Sequence, residues 1–224
     1  MTRTAVFDVD GTLVDTNYLH ATAWWEAFRQ SGHTVPMAAV HKAIGLGSDD
    51  LIEHLLGPDR DREQDARISG AHTTLYAMCF ERLAALTGAA DLLRTLAGRG
   101  WTVVLATSAS DHELGALRRA LDADDVIADT AGADDVEEGK PAPEPIRQAM
   151  EIAGGTPDET VYVGDSVWDM QAATRASVAA VALLSGGIPR ADLEEAGAGE
   201  VYTGPADLLA HLNDSAFARI GAVK

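Results

Sequence analysis

The chain has 224 residues, 46% of them hydrophobic, with 17 basic against 35 acidic side chains and a formal net charge of −18. That length allows a full hydrophobic core, as one large domain or as a core with a small accessory domain. The acidic balance argues against binding to nucleic acid or anionic lipid, and no run approaches the roughly twenty apolar residues of a membrane span. An anionic substrate would meet a repulsive field, so its site would need a divalent cation and a placed lysine. Met1-Thr2-Arg3 leads at once into a strand pattern with no room for a signal peptide, so a cytoplasmic protein is expected. The one cysteine, Cys79, lies in the apolar run Leu75 to Phe80 and is expected to be a buried core thiol.

Ala5-Val6-Phe7 reads as a short strand that runs into Asp8-Val9-Asp10-Gly11-Thr12. A period of two sends Asp8 and Asp10 in the same general direction, and Gly11 permits a sharp turn beyond them. From Tyr18 to Gln30, apolar residues at helical spacing predict a helix, with Thr16 as its candidate cap. Short helices follow at Met37 to Ile44 and from Ser48, an N-cap candidate, to Gly57; a longer one is expected from about Asp61 to Leu86. The stretch from 16 to 87 therefore reads as wholly helical.

The pattern then changes to alternation. Helices are predicted over Ala89 to Ala97, Asp111 to Leu121, Pro143 to Ala153, Asp169 to Arg175, Ala191 to Ala196 and beyond Pro205. Strands are predicted at Trp101 to Thr107, Val126 to Ala128, Thr160 to Val163, Ala179 to Leu184 and Glu200 to Tyr202, with an acidic loop after the second of these. Repeated β-α units imply an α/β, Rossmann-like parallel sheet core with helices on both faces, and ligands bind beyond the carboxyl ends of its strands. Residues 1–15 and 88–224 would form that core, and 16–87 an inserted all-helical cap domain over the strand ends.

Two carboxylates in one small space persist only with a cation, a shared proton or separate roles. A phosphoryl-transfer centre then predicts a hydroxyl, a lysine and further acids at other strand ends. Thr107-Ser108 supplies hydroxyls beside backbone N–H groups, Gly139-Lys140-Pro141-Ala142-Pro143 holds a lysine between restricted residues, and Gly164-Asp165 with Asp169 one helical turn on gives a second acidic pair. Taken singly, each is also a strand-end polar residue, a solvated lysine or a first-turn helix acid; together, in this order, they point to chemistry.

The pattern resembles the haloacid dehalogenase superfamily over essentially the whole chain, in its capped branch of phosphatases and phosphomutases, similar to the phosphoglycolate phosphatases and β-phosphoglucomutases. The motif Asp8-Val9-Asp10-Gly11-Thr12 is the most specific element of that resemblance. It implies a phosphoric monoester hydrolase in which Asp8 is the nucleophile and Asp10 the acid and base, with Thr107 and Lys140 completing the catalytic set. Gly11, Thr107, Ser108, Lys140 and His20 are the implied substrate-binding residues, and Asp8, Asp10, Asp165 and Asp169 the implied Mg²⁺ site. Asp8 must be ionised to attack, and Asp10 must carry a proton for the leaving group. The second acid at position 10 argues against the metal-free dehalogenases. His20 and Trp24 fall where the β-phosphoglucomutases have a similar histidine and tryptophan, although His20 can also be read as an exposed helix residue and Trp24 and Trp25 as packing. Those mutases carry Glu-Asp at the fourth motif and an arginine in the cap loop. Gly164-Asp165 and Gly47-Ser48-Asp49-Asp50 depart from both and lean toward the phosphatases. The expected partner is a small phosphorylated metabolite, for a monomer or homodimer; the rival readings are a sugar-phosphate mutase and a non-catalytic phosphate-metabolite sensor.

Overall fold

The computed structural model describes residues 2–132 and 138–221. In chain order the elements are β1 (Thr2–Phe7), α1 (Asn17–Gln30), α2 (Met37–Ala43), α3 (Ser48–Leu56), α4 (Asp65–Ala77), α5 (Ala89–Gly98), β2 (Thr102–Ala106), α6 (Asp111–Leu121) and β3 (Ile127–Ala131). They continue with α7 (Glu144–Ala153), β4 (Gly155–Gly164), α8 (Val167–Ala176), β5 (Ala179–Leu183), α9 (Arg190–Glu195), β6 (Glu200–Tyr202), α10 (Pro205–Ala210) and α11 (Ala216–Gly221). The six strands form one parallel sheet in the order β3-β2-β1-β4-β5-β6. The chain moves outward from β1 to β3 and then returns to build the other half from β4. The order therefore reverses between β1 and β4, which opens a crevice at their carboxyl ends. The Asp8 N–H donates to the Val163 carbonyl at 2.9 Å, carrying the pairing one residue past β1 and fixing Asp8 at the mouth of that crevice.

Both faces of the sheet are covered, which explains the unbroken apolar runs of its strands. Ala5, Phe7, Val103, Leu105, Val161 and Val163 pack against Leu92 and Leu96 of α5, Leu117 of α6, Leu208 of α10 and Phe217 of α11. The alternate residues Val6, Val104, Tyr162 and Ala180 pack against Ile146 and Ala149 of α7 and Met170 and Ala173 of α8. Successive strand residues thus serve opposite layers, and β1 is sealed on both sides.

Helices α1 to α4 stand between β1 and α5 and build a hydrophobic cluster of their own around Trp24, Phe28, Val40, Leu51, Ile52 and Ile68. The two chain crossings into this block lie side by side. The Asp15 N–H donates to Ala84 O at 3.0 Å and the Leu86 N–H to Leu13 O at 2.8 Å. These crossings sit where the sequence pattern changes, next to the acids after β1.

Several expected boundaries move. The long helix ends at Ala77 rather than near Leu86, and a short 3₁₀ turn at Phe80–Arg82 leads into the extended Leu83. Met78, read as an apolar helix position, is 73% exposed, and Cys79 is half-buried in the turn rather than in the core. Gly47, not Ser48, caps α3, and Thr16 occupies the cap position of α1 without giving it a side-chain hydrogen bond. β4 begins five residues before Thr160, and the last helix is two, α10 and α11. The acidic loop expected after β3 falls partly outside the described residues.

Candidate active site

The crevice gathers two buried groups of charge that start two residues apart. The first surrounds Asp8. Lys140 Nζ, in the loop before α7, donates to Asp8 Oδ1 at 2.5 Å and to Asp169 Oδ1 at 2.9 Å. Asp169 belongs to the first turn of α8, where Ser166 and Asp169 form a reciprocal capping box. Its Oδ2 receives the Ser166 N–H and hydroxyl, and its Oδ1 receives the Tyr162 hydroxyl at 2.6 Å. Asp165 closes the group. The Thr12 hydroxyl lies 3.1 Å from Asp8 Oδ2 and 2.8 Å from Asp165 Oδ1, while Asn17 Nδ2 donates to Asp165 Oδ2 at 2.7 Å.

The second group surrounds Asp10 at the edge of the inserted helices. The Thr16 hydroxyl donates to Asp10 Oδ1 at 2.7 Å, and His20 Nε2 stands 3.2 Å from the same oxygen and 3.3 Å from Glu113 Oε1 of α6. His20 Nδ1 meets His72 Nε2 of α4 at 3.1 Å, and the imidazole stacks on Tyr76 with ring centres 3.8 Å apart. Trp24 in turn stacks on His72 at 4.0 Å. His20 is 8% exposed, so it is a buried neighbour of Asp10 and not a surface helix residue. Trp24 packs in the cluster built by the inserted helices, and Trp25 carries the Arg29 guanidinium over its ring.

Electrostatics separate the two groups. Burial pushes Asp8 up to about 7 against the pull of Lys140, with Asp169 and Asp10 adding repulsion. Burial likewise lifts Asp165 well above the carboxylate range, reinforced by the charges of Asp8 and Asp169. Asp169 stays below its ordinary value: burial is outweighed by Lys140 and by the hydrogen bonds of Ser166 and Tyr162. At Asp10 burial is again outweighed, here by the His20 hydrogen bond and charge and by Thr16, so its carboxyl is lowered. Burial and then the Asp10 charge raise Glu113 to about 7, and burial and then the His20 charge drop His72 to about 2. The protein's own groups, with no cation beside them, therefore lift Asp8 and lower Asp10. Burial is the main cause at Asp8, and the charges of Asp169 and Asp10 add to it against the single lysine.

Two connected cavities open on these groups. A small one of about 60 Å³ is lined by Asp8, Asp10, His20, Glu113, Ser108 and Lys140. A wider cleft of about 820 Å³ shares Ser108 and Lys140 with it and adds Thr107 and the α3 residues Asp49, Asp50 and Glu53. Gly11 lines neither. Its φ of +74° and its closeness to Asn17 and Asp165, which a Cβ would meet at 2.5 Å, explain why a glycine stands at this turn. Asp165 and Asp169 also lie behind the cavity walls, 2% and 0% exposed.

A model of the haloacid dehalogenase-like hydrolases matches residues 2–177. The chain belongs to that family. It is 30% identical over 190 residues to a phosphoglycolate phosphatase of Pseudomonas putida, an alignment covering 82% of this chain and 70% of that protein. The crystal structure of a hydrolase from Pseudomonas syringae is 36% identical and superposes with a TM-score of 0.90 over 96% of this chain and 99% of that one. A β-phosphoglucomutase from Clostridium difficile shares the fold, with a TM-score of 0.82 over 96% of both chains at 19% identity.

Within this hydrolase the structure adds residues that sequence reading passed over: Thr12, Asn17, Tyr162, Glu113, His72 and Tyr76. Thr12 and Asn17 flank residues already singled out, and Ser110 followed three positions later by Glu113 is a capping-box pattern; nothing local marks the others. The donor set around Asp8 suits a divalent cation. Oxygens of Asp8, Asp165 and Asp169 lie within 4.8 Å of one another, one hydroxyl proton on Thr12 faces two carboxylates, and Asn17 Oδ1 is buried without a partner. Buried oxygen ligands in excess of positive charge fit a hard divalent ion. Ligand atoms of Asp10, His20 and Glu113 also lie within 4.8 Å of one another, beside that acidic group.

Proposed function

We propose that this hydrolase is a Mg²⁺-dependent phosphatase acting on small phosphate monoesters through an aspartyl-phosphate at Asp8. The observation that carries the reading is the pair Asp8 and Asp10 at one cavity with opposite surroundings, Lys140 on one acid and His20 on the other. Asp8 attacks phosphorus, the bond to the leaving oxygen breaks, and Asp10 gives that oxygen its proton. Water then attacks the phosphorus and yields a proton to Asp10, and the bond to Asp8 breaks to release inorganic phosphate. Lys140 holds one oxygen of Asp8 and offsets charge. The Thr107 Oγ1 accepts the Ala109 N–H at 3.1 Å, which leaves its own proton for a phosphate oxygen. Asp8, Asp165 and Asp169 would hold Mg²⁺, which when bound supplies the positive charge that keeps Asp8 ionised and offsets the transferring group.

The block of residues 16–87 is proposed to act as a cap over the crevice. His20, Trp24, Leu46 and Leu51 from that block face Asp8 and Asp10 across the small cavity, an arrangement that supports water exclusion during transfer. The cleft walls bear on substrate choice. Asp49, Asp50, Glu53 and Glu138 line the wider cleft, Lys140 is held by two acids, and the Arg175 guanidinium donates to Pro141 O at 2.7 Å. That lining supports an uncharged leaving group over a second anion, and so separates this chain's preference from the name carried by its phosphoglycolate phosphatase relatives.

A sugar-phosphate mutase is the second reading, favoured by the placement of His20 against Asp10. A non-catalytic sensor is disfavoured by the complete set of reactive side chains. The test is incubation of wild type and Asp8→Asn with Mg²⁺ and a panel of phosphate monoesters, measuring free phosphate and isomerised sugar phosphate. Release abolished by Asp8→Asn is expected. Isomerisation outrunning release would replace the phosphatase with the mutase, and no turnover of any ester would replace both with the sensor.

A further inference from the structure

The Glu113 side chain is 16% exposed, yet it has no place in the proposed phosphoryl transfer. It stands on the first turn of α6, in the sheet-bearing part of the molecule, and its Oε1 is 3.3 Å from Nε2 of His20, which comes from α1 across the crevice. The same Nε2 is 3.2 Å from Asp10 Oδ1. One ring nitrogen therefore faces two carboxylates, and the rest of the imidazole is fixed by His72 at Nδ1 and by the Tyr76 ring beneath it.

We propose that Glu113 is a positioning residue for the acid–base work of Asp10, acting through the His20 imidazole that it shares with that acid. The inference rests on the phosphatase reading and deepens it. In the cycle above, Asp10 alternates between carboxyl and carboxylate. When Asp10 is ionised, the His20 Nε2–H donates to it; when Asp10 carries the proton destined for the leaving group, that N–H needs another acceptor. Glu113 supplies one without any movement of the ring. With no second acceptor the N–H would stay on Asp10 and favour the carboxylate, the form that cannot protonate a leaving oxygen. Because His20 and Glu113 come from opposite sides of the crevice, the arrangement is complete only when the inserted helices are seated on the core.

A plainer role is helix capping, since Ser110 is the N-cap of α6 and Glu113 its third helical residue. Glu113→Gln separates the two roles. A glutamine at the third helical position keeps a cap acceptor and loses the charge that holds the imidazole N–H. The measurement is kcat/KM for wild type, Glu113→Gln, His20→Asn and the double variant, with Mg²⁺, on an alkyl phosphate and on 2,4-dinitrophenyl phosphate, whose leaving group departs without a proton. kcat/KM reports events up to the first irreversible step, so slow dephosphorylation does not mask the comparison. Glu113→Gln is expected to lose about tenfold on the alkyl ester, one charge-assisted hydrogen bond's worth, and less than about twofold on the aryl ester. The double variant should be no slower than His20→Asn alone. Equal losses on both esters, no loss on either, or additive losses in the double variant would overturn the positioning role while leaving the phosphatase reading in place. Wild type without activity on either ester would overturn both.

Discussion

The acids at positions 8 and 10 are two residues apart, the first buried and the second partly exposed, and they are settled by different means. Asp8 lies wholly within the sheet-bearing core, where strand ends β1 and β4, the Lys140 loop and the start of α8 surround it with acids and a single lysine. Asp10 lies at the seam with the inserted helices and is met by a hydroxyl and by a histidine that it shares with Glu113. Burial alone would raise both; the partners decide the outcome, up for Asp8 and down for Asp10. A strand and a tight turn thus place two like groups in unlike fields, and the proposed division of labour between nucleophile and acid–base asks for a cation beside Asp8 to offset the lift that burial gives it.

The comparison breaks most severely at its first member. Asp8→Asn should reduce phosphate release by on the order of 10⁴-fold or more while Asp10 and its partners keep their arrangement; retained turnover in a steady-state phosphate assay would deny Asp8 its role. Lys140→Met removes the cation shared by Asp8 and Asp169 and leaves both carboxylates buried. A loss of about 3–5 kcal/mol is expected in chemical denaturation, because a broken buried pair strands its partners. Stability within error of wild type would mean that neither acid depends on the lysine.

On the other side, Thr16→Val keeps the shape and removes one charge-assisted hydrogen bond to Asp10. It should cost about 1.5–3 kcal/mol of stability, with Asp8 chemistry on an aryl phosphate nearly untouched. The smallest effect is a slope. Glu113 moves from an ordinary 4.5 to about 7 in the folded protein, so the folded state binds more protons than the unfolded chain over that window. Its contribution to stability is complete below about pH 4.5 and is lost as pH rises through about 7. Unfolding measured across that range should fall less steeply with pH for Glu113→Gln than for wild type; parallel curves would show that Glu113 is not shifted.

The acids of the first group and the nearby Thr107 were readable in the sequence because each follows an apolar strand or starts a helix: Asp8 after Phe7, Thr107 after Ala106, Asp165 after Gly164 and Asp169 at the first turn of α8. Strands buried on both faces announce themselves, and a parallel sheet brings their ends to one edge. The second group was less readable. His20, His72 and Tyr76 sit at ordinary helix positions, and Glu113 in a capping pattern, so only the docking of α1 and α4 against α6 reveals that they meet. The end of α4 was missed for a related reason: Met78 and Cys79 continue an apolar spacing, but the chain there turns out to solvent. Among the described residues, no helix is long and apolar enough to cross a membrane, as the hydropathy pattern implied.

Trapping the phosphoryl group tests the account most directly. With Mg²⁺ and 2,4-dinitrophenyl phosphate, the first step of Asp10→Asn needs no proton from residue 10, while the second lacks its base. Acid quench during the first turnover, followed by peptide mass mapping, should find one phosphoryl group on the segment carrying Asp8, and none when Asp8→Asn is added to the same variant. A phosphoryl group on any other residue, or leaving-group release with no labelled segment, would contradict the nucleophile on which the division between the two acids depends.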